Sequence, residues 1–127
     1  MFIRFVCGDV DAGSRVEAGI FCAAYKLRRE GKMPEYELKR LADLLVWFNT
    51  HLRSPFEYRL RQGWRGPRAV CWFRSSAHEH LAKAREMAAL LEDHDVYIRT
   101  IRSEKTGYRL YEDEVQVLAQ PFADMRI

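Results

Sequence analysis

No apolar run in this sequence approaches the roughly 18 residues that a membrane-spanning helix needs, so no span is expected. The start, Met1-Phe-Ile-Arg-Phe-Val, lacks a basic segment followed by a long apolar stretch, so no signal peptide is expected. Cysteine is scarce: Cys7, Cys22 and Cys71 are an odd set with no Cys-x-x-Cys pair. That excludes a disulfide framework and a thiolate zinc site. Each cysteine sits in an apolar run, which predicts buried, reduced thiols and a cytoplasmic location. There is no internal repeat and no low-complexity segment, because Trp47-Phe48 falls on a helical pattern and Trp72-Phe73 on a strand pattern. Gly8 to Ser14 has the glycines of a phosphate loop but no lysine, and Asp9 and Asp11 would repel phosphate. It also has too few oxygen ligands for a calcium loop. No cofactor and no metal site is expected.

What is present is ordinary for a globular chain. Hydrophobic residues make up 48% and charged residues 31% of 127 residues, enough for one domain with one core across residues 1–127. The net charge of +3 is too small to mark a nucleic-acid binder by itself, but it is unevenly spread. Between Arg53 and Arg68 five arginines face one acid, Glu57, whereas Glu112 to Glu114 is wholly acidic.

Periodicity predicts the elements. Phe2 to Cys7 reads as a strand ending at Gly8. Ser14 and Glu17 have the spacing of a capping box, and Val16, Ile20, Phe21, Ala24 and Leu27 then draw one helical face that stops at Gly31. Pro34 suits the first turn of a second helix, whose stripe is Leu38, Leu41, Leu45, Phe48 and Leu52. Residues 53–68 have no period and read as a basic irregular loop within the domain. Ala69 to Phe73 is a strand apolar on both faces. Ser76 and Glu79 form a second capping box, opening a helix to about His94 with Leu81, Ala84, Met87, Ala88 and Leu91 inward. Val96 to Arg102, Tyr108 to Tyr111 and Val115 to Ala119 read as closing strands, the last two hinged at Glu112-Asp113-Glu114. The expected fold is therefore α/β (α+β): a single-domain mixed sheet in the order strand-helix-helix-strand-helix-strand-strand-strand, helices packed on the sheet. The helical connections are expected to be crossovers, right-handed where parallel.

Gly19-Ile-Phe, Ala23-Ala-Tyr-Lys-Leu, Trp47-Phe-Asn, Trp72-Phe-Arg and Glu79-His80 look like markers of a family of small uncharacterised bacterial proteins. The most specific segment is Gly107-Tyr-Arg-Leu-Tyr-Glu-Asp-Glu-Val-Gln-Val-Leu-Ala-Gln-Pro-Phe122. It resembles that family's Pro-Gly-Tyr-x-x-Tyr-Glu-Asp-Glu-x-Gln-Val-x-Ala-Glu-Pro-Phe pattern. Thr106 stands where a proline is usual and Gln120 where an acid is usual. The resemblance covers almost the whole chain; it implies bacterial origin and a shared fold, and no activity.

Three groupings of residues carry chemistry. Arg59, Arg61 and Arg65, interleaved with Phe56, Tyr58 and Trp64, can neutralise phosphates and stack on bases. A solvated loop whose aromatics cap the core edge uses the same residues. Arg74, Ser75 and Ser76 lead into a helix N-terminus that can hold an anion, although plain capping accounts for Ser76. His80, Tyr108, Tyr111, Glu112, Asp113 and Gln116 cluster around one hairpin as a possible pocket, in which Asp113 or Glu112 would orient His80 as a base. His78 and His80 are two apart on a helix, so they chelate one metal poorly.

No catalytic motif is present, so an enzyme is not the favoured expectation. The favoured one is a non-enzymatic binding or interaction module for an anionic partner, either nucleic acid or an acidic protein surface. A small enzyme for an anionic metabolite, sited at Arg74, His80 and Glu112–Asp113, is the first alternative. An obligate homodimer, with surplus aromatics meeting the acidic turn across a twofold axis, is the second.

Overall fold

The structure, a computed structural model, describes residues 1–10, 17–53 and 69–122. Its elements are β1 (Phe2–Val10), β2 (Glu17–Gly19), α1 (Ile20–Glu30), α2 (Glu35–His51), β3 (Val70–Arg74), α3 (His78–Glu92), β4 (Arg99–Ser103), β5 (Tyr108–Glu112) and β6 (Gln116–Gln120). The α+β class and the expected element order hold, with the short β2 added. The 54–68 part of the basic loop, including Arg59, Arg61 and Arg65, lies outside the described residues, as does Ser14.

Every strand pairing is antiparallel, which corrects the expected mixed sheet. β2 turns the chain back along β1, and α2 ends beside His80 and Gln116, at the end of the sheet where β1 begins and β3 finishes. β3 runs opposite to β1, with Phe2 opposite Arg74 and Ile3 opposite Phe73. One helix, α3, separates β3 from β4, so these two share a direction. They are not neighbours, because β1 lies between them: Phe2 pairs with Arg74 of β3 on one edge and with Ser103 of β4 on the other. The row is β4-β1-β3-β6-β5, with β2 beside the far end of β1.

β1 runs on past the expected stop at Gly8, which has a positive φ of 88° where the register against β2 shifts. An extra-residue kink of this kind suits glycine. Glu17 belongs to β2 instead of a helix cap, and α1 starts at Ile20 with no side-chain cap bond. The second expected capping box is also absent: Ala77 holds the cap position of α3 without a side-chain bond. Gly31 ends α1 in the left-handed region, as expected.

Strand alternation divides the core in two. Ile3, Phe5 and Phe73 face the helices and join Leu27, Leu41, Leu45, Phe48, Met87 and Leu91. Phe2, Val6, Val70, Trp72, Ile101, Val117 and Ala119 form a second cluster made only of strand residues. The stripe of α2 is thus core-facing. Trp72 is fully buried, and its indole N–H has no hydrogen-bond partner among the described residues. Such a donor costs about 1–3 kcal/mol, so the packing around the ring outweighs it. The buried-thiol expectation fails: Cys22 and Cys71 are exposed and Cys7 is half-buried, with none in a disulfide.

The link from β4 to β5 bends the sheet. In a flat sheet these edge strands lie four spacings apart, about 19 Å. Ser103 is also level with Arg74 and so with Val115, whereas Tyr108 pairs with Gln120 at the opposite end of β6, adding roughly 17 Å along the strands. The five steps from Ser103 to Tyr108 reach at most about 18 Å. The sheet is therefore curled until its diagonal corners approach. The Arg109 guanidinium of β5 accordingly lies 5.1 Å from the Phe2 ring of β1.

Thr106 is buried within this link. Gly107 has φ 104°, and a Cβ there would sit 2.1 Å from the Gln120 carbonyl oxygen. Gly107→Ala is expected to cost about 3 kcal/mol or more through strain and backbone clash, read as a lower denaturant midpoint. Gly31→Ala, with open space around its Cβ position, should cost only about 1 kcal/mol.

Candidate functional site

The β5–β6 turn is built around Asp113. Its Oδ1 accepts the backbone N–H of Val115 (2.8 Å) and of Gln116 (2.9 Å). Its Oδ2 accepts the Tyr111 hydroxyl (2.8 Å) and the Gln116 side-chain amide (3.3 Å). An aspartate that bonds its own following backbone is a standard turn former. Burial opposes the charge on Asp113, but the bonds from Val115, Tyr111 and Gln116 prevail and hold its carboxyl below the usual range. Tyr111 is pushed up by burial first, then by the bond and charge of Asp113, with Arg53 opposing. The Arg53 guanidinium stands 6.0 Å from the Tyr111 ring. Gln116 is buried, and its amide also donates to the Arg53 carbonyl. The turn is therefore tied to the end of the α2 segment.

Next to this turn, two arginines share one carboxylate oxygen. Glu112 Oε2 accepts from Arg109 Nη1 at 2.7 Å and from Arg74 Nη2 at 2.8 Å. Arg74 Nε donates to the Asp113 carbonyl at 2.7 Å. Both guanidiniums also lie over Phe2, Arg74 at 5.7 Å and Arg109 at 5.1 Å. The bond from Arg109, and after it that from Arg74, holds Glu112 below the ordinary glutamate range against a smaller opposing effect of burial. Glu112 is 49% exposed, so this group faces solvent with two positive charges on one negative.

His80 is in a different setting. Its Nε2 donates to the His51 carbonyl at 2.8 Å, and its ring packs at 4.8 Å from Trp47 and 6.4 Å from Phe48. A carbonyl only accepts, so Nε2 carries the proton. His51 stacks on Trp47 at 4.4 Å, and its Nδ1 donates to the Trp47 carbonyl. His80 thus fastens the start of α3 to the end of α2. Asp113 does not orient it, since all four bonds to the Asp113 carboxylate come from its own turn. The paired base needed by the enzyme alternative is not assembled.

Tyr108 is exposed and stands apart, its ring 4.8 Å from that of Phe122. Ser75 N–H donates to the Met1 carbonyl, Ala77 N–H to Arg74 and His78 N–H to Ser76. These three backbone donors are taken within the chain. Of the expected pocket, the structure brings together Tyr111, Glu112, Asp113, Gln116 and Arg74, and leaves out His80 and Tyr108. It adds Arg109 and Phe2, which sequence reasoning missed. Residues three apart in a regular strand face opposite sides, but the β5 register shifts between Arg109 and Tyr111, which puts Arg109 and Glu112 on one side. Among the described residues no group of three or more metal-ligating side chains occurs, and no helix is long and apolar enough to cross a membrane.

No protein-family model matches this chain, and no curated protein or solved structure matches it either.

The depressed Asp113 carboxyl makes a pH prediction. Its stabilisation is complete above the unfolded aspartate value of about 3.9 and is lost as pH falls through the lower folded value. Asp113→Ala should cost about 2–4 kcal/mol at pH 7, since several bonds to one charged group go at once. The gap between wild type and variant in denaturant midpoint should narrow below about pH 4. Tyr111 should ionise above the ordinary tyrosine value of about 10, followed by its absorbance near the ultraviolet phenolate band.

Proposed function

We propose that the protein is a non-enzymatic cytoplasmic binding module whose curled sheet end engages an anionic, phosphate-bearing chain. The observation that carries this reading is the Arg74–Glu112–Arg109 group: two guanidiniums held by one half-exposed carboxylate oxygen. Holding both arginines in place lowers the entropy lost when they meet a ligand. A guanidinium forks onto phosphate with two parallel bonds, and a pair side by side matches a diester backbone better than a single point charge. Glu112 keeps the pair in place when no partner is present and leaves it one positive charge in excess.

The surroundings support a single-stranded nucleic acid as the partner. Arg53 stands beside the same turn, and the sequence continues from it through Arg59, Arg61 and Arg65 with interleaved aromatic residues. Aromatic faces stack on unpaired bases, and arginines follow the phosphates. The exposed Tyr108 ring lies on the same strand as Arg109. The segment that bears the resemblance to small bacterial proteins, Gly107 to Phe122, supplies the turn and one of the two arginines.

The test is binding of fluorescent single-stranded oligonucleotides across a salt series. Affinity should fall linearly on a log–log plot, with a slope of about −0.7 for each phosphate contacted. Arg59→Gln/Arg61→Gln/Arg65→Gln should flatten that slope. Glu112→Gln should tighten binding several-fold, because it removes the carboxylate that competes with phosphate. Binding that is independent of salt, or unchanged in the triple variant and in Glu112→Gln, overturns the proposal. Binding to an acidic peptide with none to oligonucleotides assigns the surface to a protein partner instead.

A further inference from the structure

A second feature lies on the helix side of the sheet, away from the arginines. A cavity of about 180 Å³ is lined by Cys7 of β1, by Cys22, Ala23, Lys26, Leu27 and Glu30 of α1, and by Val96. Two of the three cysteines in the chain therefore face one space. Their places follow from the topology. Val6, next to Cys7, is the pairing partner of Gly19, and Cys22 sits three residues on, in the first turn of α1. Paired Cα atoms in antiparallel strands lie about 4.5–5.5 Å apart, so the β1–β2 pairing draws the start of α1 back over Cys7.

The two thiols differ in access. Cys22 is exposed, whereas Cys7 is half-buried and packs against the helix-side core. An exposed thiol with a shielded thiol behind it is the arrangement of an attacking and a resolving pair. Ala23, Leu27 and Val96 give the space its apolar lining, and Lys26 and Glu30 its charged one.

We propose that Cys7 and Cys22 form a thiol–disulfide exchange site for low-molecular-weight disulfides. The Cys22 thiolate attacks one sulfur of the small disulfide, forming a mixed disulfide and releasing one small thiolate. The Cys7 thiolate then attacks the Cys22 sulfur, closing Cys7–Cys22 and releasing the second small thiolate. The two protein thiols give up two electrons and two protons, and the small disulfide is reduced to two thiols. The new bond ties β1 to α1 across the cavity.

The experiment uses the full chain carrying Cys71→Ser, so that only this pair is titrated. The folded protein is treated with a small excess of oxidised glutathione, quenched with acid, and examined by non-reducing mass spectrometry. Both thiols are expected to disappear with no adduct mass retained, and peptide mapping should show Cys7 joined to Cys22 in a monomer. Cys7→Ser and Cys7→Ala, each added to that background, should stop at a stable glutathione adduct on Cys22. Circular dichroism confirms that at least one of them is folded. Cys22→Ser should leave Cys7 unmodified over the same time. A persistent Cys22 adduct alongside an unreacted Cys7 overturns the proposal, and so does a dimer bridged through Cys22.

Discussion

A link only five residue steps long, from Ser103 to Tyr108, joins the two edge strands of this sheet. It cannot cross a flat sheet of five strands, so the sheet curls, and most of what is distinctive about the molecule follows. Curling gathers Phe2, Val6, Val70, Trp72, Ile101, Val117 and Ala119 into a core of strand residues. It brings β5 close enough to β1 for Arg109 to reach Phe2. It also explains the closeness of Gly107 to the Gln120 carbonyl, a contact that leaves no room for a side chain.

The candidate site is a product of the same bend. Arg74 ends β3, Arg109 lies in β5 and Phe2 begins β1, yet they meet at one corner with Glu112 between the two cations. Asp113 has a different part. Its carboxylate spends all its bonds on the turn, and so fixes where Glu112 points instead of meeting a ligand. Gln116 extends that order to the Arg53 carbonyl, and His80 secures the neighbouring His51 carbonyl. The end of α2 is thus held from two sides immediately before the arginine-rich segment starts. There the Arg53 guanidinium stands 6.0 Å from the Tyr111 ring of the acidic turn.

Much of the fold was legible beforehand, because burial follows period. The stripes of α2 and α3 and the apolar run of β3 were readable, since a residue's face is set by its spacing alone. Gly31 was readable as a helix stop because only glycine takes a left-handed conformation cheaply. The capping boxes were misleading. Ser76 and Glu79 have the right spacing, yet Ala77 takes the cap position and the helix begins without a side-chain cap. The thiols misled for a similar reason: an apolar neighbourhood in sequence says nothing about which face of the helix Cys22 occupies.

By itself the sequence determined the helices, the strand content, the α+β class and the grouping of Tyr111, Glu112, Asp113 and Gln116 around one turn, all of which rest on local periodicity and turn chemistry. Tertiary structure alone decided strand direction, the curl, the pairing of Arg109 with Arg74 and the separation of His80 from the acidic turn. Strand direction depends on which distant strands pair, and the arginine pairing depends on a one-residue register shift in β5. A shift of that size reverses the face of every residue beyond it, and nothing in the linear order of residues records where it falls.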